Sequence, residues 1–97
     1  MVVRILSGRA RAGSEEQFLA AVRPAVEWLN SQDGCFGAQL CRLREDPGTF
    51  AVISRWRDQS ALDAAVDSPE YSAQVQPGLE FAEGQPAAVH YVSLQPA

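Results

Sequence analysis

The 97-residue sequence has no lysine, one histidine, one methionine and two cysteines. It also has no apolar run near the roughly 20 residues of a membrane span. The one apolar start, Met1 to Leu6, is interrupted by Arg4 and followed by the polar stretch Ser7 to Arg11, so it does not read as a secretory signal. Together these absences predict a soluble, cytoplasmic protein without membrane attachment. Cys35 and Cys41 are six residues apart in a strand-like segment. At about 3.3 Å per residue that is about 20 Å, beyond disulfide reach, so both are expected to be free thiols. No His or Cys spacing suits a metal, and no site for one is expected. With no Gly-rich phosphate loop or dinucleotide fingerprint, no cofactor is expected either.

Scarcity also limits the chemistry. Any Ser/His or Cys/His arrangement would have to use His90, the single histidine. The net charge of −4 and the pI near 4.8 argue against nucleic acid and anionic membrane as partners, because both require a clustered basic face. The charge is unevenly spread: eight arginines face six acidic residues up to Arg57, and six acidic residues with no arginine or lysine follow it.

What is present reads as one domain over residues 1–97, with 46% hydrophobic residues. Val2 to Ala10 predicts a first strand. Ser14 followed by Gln17 matches a capping box, and Phe18, Val22, Ala25, Val26 and Leu29 then form the stripe of a helix over Glu15 to Ser31. Pro24 predicts a kink there or a boundary one turn away. Cys35 to Arg44 and Thr49 to Arg57 are expected to pair as a hairpin across the Asp-Pro-Gly turn in Glu45 to Gly48, with a loop of three or four residues. Phe50, Val52, Ser54 and Trp56 share one face of the second arm, and Ala51, Ile53, Arg55 and Arg57 the other.

Asp58 reads as the N-cap of a helix carrying Ala61, Leu62, Ala65 and Val66. Ser68 and Pro69 start another, which carries Tyr71 and Val75 and stops before Pro77. Pro77 to Pro86 is expected to be a loop, Ala87 to Leu94 a last strand, and Gln95 to Ala97 a tail. The order β, α, β, β, α, β predicts an α+β fold: a ferredoxin-like antiparallel sheet with the helices on one face. Helices cannot cover both faces of such a sheet, and either Phe50, Val52 and Trp56 or Ala51 and Ile53 remain on the open side. A two-fold homodimer that stacks sheet on sheet would bury them and leave room between sheet and helices for a small ligand.

Gly34 at the opening of the second strand, the Asp46 to Gly48 turn, Trp56 at a strand end, Ser60 to Leu62 in the following helix and the Ser68 to Tyr71 restart resemble the antibiotic biosynthesis monooxygenase domain of the dimeric α+β barrel superfamily. That resemblance implies a small homodimeric, monooxygenase-like oxidoreductase. One branch oxygenates aromatic or phenolic small molecules to quinones without a cofactor. The alternative it leaves open is a non-catalytic small-molecule-binding or stress-related dimeric barrel.

Carried over by residue, the resemblance places Trp56 in the substrate site. It also places there three positions where this chain departs from family polar residues: Val52 for an Asn, Ser54 for a Glu and Leu62 for a Tyr. Ala65 stands where many members have a His. Ser7, Ala65 and Val75 fall near the polar positions of the haem-degrading branch and supply none of its groups, which argues against haem degradation. From the residues themselves, Tyr71 and Tyr91 can hydrogen-bond a ligand oxygen. Arg42, Arg44, Arg55 and Arg57 are expected to cluster near the hairpin, where they either solvate a strand edge or bind an anion. His90 is the one candidate general base.

Overall fold

The computed structural model describes residues 1–95. Its elements run β1 (Val2–Ala10), α1 (Glu15–Asn30), β2 (Cys35–Arg42), β3 (Thr49–Trp56), α2 (Gln59–Val66), α3 (Pro69–Leu79) and β4 (Ala82–Val92). The strands form one antiparallel sheet in the order β2-β3-β1-β4. This is the ferredoxin-like α+β topology that the element order predicts.

Strand alternation decides which residues the helices cover. Val2, Arg4 and Leu6 on β1 stand opposite Trp56, Ser54 and Val52 on β3, so these six side chains share the helix-covered face. Trp56, Val52 and Val2 pack there with Leu29 of α1, Ala61, Leu62 and Ala65 of α2, and Tyr71 of α3. A second cluster, around Phe18 and Phe50 with Leu19, Ala10 and Ala82, closes the other end of the layer. The two phenyl rings lie 5.3 Å apart, centroid to centroid. Of the two alternatives for the open side, Ala51 and Ile53 are the pair found there, in register with Ser7 and Ile5.

Side chains fix where the elements start and how they dock. Asp58 caps α2 by accepting the Ala61 N–H at 2.8 Å, and Ser68 caps α3 by accepting the Tyr71 N–H at 3.2 Å. Gly34 opens β2 with φ of +82°, and a Cβ there would sit 2.6 Å from the Ala61 Cβ, so both backbone angle and space demand glycine. Asn30, at the end of α1, donates to the Ala38 carbonyl at 3.0 Å and accepts the Ala38 N–H at 2.9 Å. Its amide thus stands in for a missing strand along the β2 edge.

Several local expectations give way. Ser14 makes no side-chain cap, and α1 starts with its hydroxyl unused. Pro24 neither ends nor divides α1, which runs unbroken to Asn30. The hairpin arms are shorter than expected and their connection longer, since Leu43 to Gly48 lie between the strands. That turn is organised by Asp46, which accepts from the Gly48 N–H at 3.2 Å and the Thr49 hydroxyl at 2.8 Å and pairs with Arg9.

Pro77 does not stop α3, which continues to Leu79. A proline so near the C-terminus deletes one backbone donor, and the final turn is held by packing: Gly78 lies so close to α1 that a Cβ would meet Val22 Cγ2 at 3.0 Å. The expected loop from Pro77 to Pro86 is therefore mostly helix and strand. β4 begins at Ala82, and a register shift opposite Ser7 to Arg9 accommodates Gly84 (φ +73°) and Pro86. β4 is an edge strand, where a proline and a bulge cost least. Of the expected tail, residues 96–97 lie outside the described residues.

Candidate functional site

Between the sheet and helices α1 and α3 lies a cavity of about 240 Å³. Its wall is mainly apolar and includes Leu6, Val26, Leu29, Leu40, Val52 and Val75. The polar side chains on it are Arg4, Tyr71 and Gln74. A cavity of about 150 Å³ already takes benzene, and drug-sized ligands occupy about 300 Å³ or more. This volume therefore matches one or two fused rings.

Arg4 comes to the cavity because β1 alternates. Its side chain points toward the helices between Val2 and Leu6, and it is only 7% exposed. Nη1 donates to the Tyr71 hydroxyl at 3.0 Å, and the guanidinium carbon lies 5.4 Å from the centroid of the Tyr71 ring. Arg4 Nε is buried without a hydrogen-bond partner among the described residues. Among the described residues Arg4 has no carboxylate within ion-pair distance. Tyr71 is in turn fixed by its place in the first turn of α3, behind the Ser68 cap, and by Trp28 of α1, with ring centroids 6.1 Å apart.

The residues singled out from sequence divide around this cavity. Val52 and Tyr71 line it. Trp56, Ser54 and Leu62 do not; they are the most fully enclosed side chains of the core. The Trp56 indole N–H donates to Ser54 Oγ at 2.9 Å, so each satisfies the other away from water. His90 is also outside the lining. It stands in register with Arg4 on the edge strand, is exposed, and has Nδ1 3.4 Å from the Gln59 amide nitrogen. Tyr91 is 59% exposed on the opposite sheet face.

Of the arginines expected to cluster, Arg42 is separated from Arg55 and Arg57 along the β2–β3 pair. Arg42 lies over the Phe50 ring near the hairpin, 5.2 Å from its centroid. Arg55 and Arg57 sit at the far end of β3, Arg57 beside Asp33 and Asp58 at 3.7 and 3.5 Å. Alternation and the length of β3 separate them. Both cysteines are free thiols, and burial pushes the Cys35 thiol up, outweighing the opposing effect of its hydrogen bond with the Gly37 backbone. No group of three potential metal ligands occurs among the described residues, and no helix among them is long and apolar enough to cross a membrane.

Arg4 is the residue that sequence reasoning passed over. Its only signal was its place between Val2 and Leu6, an arginine in step with apolar neighbours on a strand.

A ferredoxin-like sheet whose helices roof an apolar cavity defines the class, an α+β protein with an enclosed space between its two layers. The particular family follows from comparison: residues 1–77 match the antibiotic biosynthesis monooxygenase family, and the chain belongs to it. No curated protein matches the chain. Among solved structures, a Nitrosomonas europaea protein named for the same family superposes with a TM-score of 0.87 at 18% identity, covering 98% of this chain and 100% of its own. A Deinococcus radiodurans protein, also named for the family, gives 0.88 at 14% identity, with coverage of 100% and 96%. SnoaB from Streptomyces nogalater, described as a cofactor-independent oxygenase, gives 0.84 at 16% identity, with coverage of 98% and 94%. At these identities the likeness establishes the shared fold.

Proposed function

We propose that this chain is a homodimeric oxygenase that converts a small phenolic ring system to a quinone with O₂ and without a cofactor. The observation that carries the reading is the cavity of about 240 Å³, apolar over most of its wall, with Arg4 and Tyr71 as a polar pair on one side. Family membership and the cofactor-independent oxygenase among the similar structures support it.

In this reaction the phenol gives up its proton and the ring anion passes an electron to O₂. The radical pair then joins to form a C–O bond, and the resulting hydroperoxide loses water. A ring C–H becomes C=O, one oxygen atom stays in the quinone and the other leaves as water, so the four electrons lost by the ring account for the reduction of O₂. The protein contributes orientation in a fitted cavity and exclusion of bulk water. The described wall has no carboxylate or imidazole, so the phenolic proton leaves to solvent at the cavity mouth rather than to a dedicated base.

That lack of a base is also the observation favouring the second reading, a dimeric barrel that binds a small molecule without turning it over. Oxygen uptake with anthrone- and naphthol-type phenols separates the two. The expected outcome is uptake above the buffer rate for at least one phenol, abolished by Val75→Phe, which fills the cavity from α3. Ligand-induced thermal shifts with no uptake from any phenol would leave the binding reading in its place.

The dimer is supported by the uncovered sheet face. Ile5 and Ile53 lie there, together with Val89 at 50% exposure and Tyr91 at 59%. Such a contiguous apolar surface is rarely left in water, and a second sheet from an identical chain, stacked face to face about a two-fold axis, would cover it.

A further inference from the structure

We infer that Arg4 and Tyr71 form an oxyanion seat that holds the ligand by a ring-borne phenolate or enolate oxygen, with the ring itself in the apolar part of the cavity. The inference rests on the reading of this cavity as the substrate site and names the class of ligand it takes.

The first observation is a buried charge with no counter-charge. Arg4 is 7% exposed, is permanently cationic as arginines are, and among the described residues has no carboxylate within 4.0 Å. Its strand neighbours facing the same side are Ser54 on β3 and His90 on β4, neither of them an anion. Folded proteins seldom leave such a charge uncompensated, because desolvation is costly unless a partner restores the lost interaction.

The second observation is direction. Arg4 lines the cavity, one guanidinium nitrogen is occupied by Tyr71, and buried Nε has no partner among the described residues. The Tyr71 oxygen accepts from Arg4, and its own proton donates to no group among the described residues. The guanidinium charge of Arg4 and the Tyr71 O–H thus stand together at one wall of an otherwise apolar space. A neutral hydrocarbon would leave both unsatisfied, whereas a single oxygen bearing negative charge accepts from both, and charge-assisted bonds of this kind are the stronger sort. Because the rest of the wall is apolar, the remainder of the ligand is a ring rather than a polar chain.

The test uses 2-naphthol as the probe, since naphthol and naphtholate differ in absorption and emission, and 2-methoxynaphthalene as the comparator that cannot ionise. Titrations under anaerobic conditions keep turnover out of the measurement. Bound to the wild-type protein, 2-naphthol is expected to ionise about 1 to 3 pH units below its value in water, the range for an acidic oxygen beside a cation. In Arg4→Met the shift should reverse, because an apolar cavity without the cation favours the neutral phenol, while 2-methoxynaphthalene binds both proteins alike.

Should Arg4→Met not fold, Tyr71→Phe keeps the ring packing and is expected to reduce the shift through loss of one donor. The inference is overturned if no naphthalene probe binds, if bound 2-naphthol ionises in the wild type as it does in water or at higher pH, or if Arg4→Met retains the full downward shift. An ionisation shift without aerobic oxygen uptake upholds the seat and removes the oxygenase reading. Uptake without the shift does the reverse.

Discussion

Ser54 and Trp56 illustrate how little a buried polar group can be judged by its type alone. Ser54 is 1% exposed, and its hydroxyl is the partner that lets the indole N–H of Trp56 enter the core. Removing the hydroxyl leaves that N–H desolvated and unpaired, which costs about 1 to 3 kcal/mol. Ser54→Ala is therefore expected to lower the urea midpoint by a corresponding amount with an unchanged slope, and equilibrium unfolding followed by tryptophan fluorescence measures it. The two residues were visible in the sequence as neighbours on one strand face; their mutual hydrogen bond was not, because it depends on the indole rotamer that the helices impose. Arg4 shows the same limit with larger consequence. Its strand was plain from Val2 to Ala10, yet whether Arg4 or Ile5 faces the helices is settled by pairing with β3, where Ser54 is its partner.

At the scale of elements, the signals that held were those with a short-range mechanism. Asp58 and Ser68 cap their helices because each side chain reaches a backbone N–H three residues on. The Asp58 carboxyl is held below the ordinary aspartate range first by the Ala61 N–H and further by the Arg57 guanidinium. A carboxyl depressed in the folded state stabilises above its unfolded pKa, and that contribution disappears as pH falls through the folded value. Asp58→Ala should therefore lower stability at pH 7, and the gap from wild type should close below about pH 4, where unfolded aspartate titrates. Asp58→Asn, which keeps an acceptor for Ala61, should show a smaller gap at pH 7; urea midpoints at pH 7 and pH 3 decide. The elements misjudged from sequence, α3 beyond Pro77 and β4 before Ala87, are those where tertiary packing outweighs a local breaker. Contact with Val22 of α1 carries the helix past its proline, and an edge position lets β4 absorb Gly84 and Pro86 in a bulge.

For the whole molecule, the decisive feature is that helices cover only one face of the sheet. A chain of this size leaves much of its apolar surface near water unless it associates, and the open face carries Ile5, Ile53, Val89 and Tyr91 in adjoining strands. Light scattering after size exclusion at micromolar concentration is expected to give twice the 10.5 kDa of one chain. Ile53→Asp should shift this toward the single-chain mass, since a carboxylate on the apolar open face would have no partner in the proposed sheet-to-sheet contact. A monomeric wild type at that concentration would remove the sheet-to-sheet dimer.

The amino-acid sequence by itself determined the order of strands and helices, the caps of α2 and α3, the glycine at position 34 and the two-faced character of β3. The element order, the caps and the two faces of β3 follow from side-chain period or from contacts a few residues long, whereas Gly34 was visible only as a turn signal and its close approach to Ala61 is tertiary. Only the tertiary structure decided that Trp56, Ser54 and Leu62 belong to the core while Val52 and Tyr71 reach the cavity, that Arg42 and Arg55 lie at opposite ends of the β2–β3 pair, and that Arg4 is buried with no hydrogen-bond partner for Nε among the described residues. Those outcomes depend on register and on which helix lies above each strand, and therefore on contacts between residues as distant in sequence as Arg4 and Tyr71.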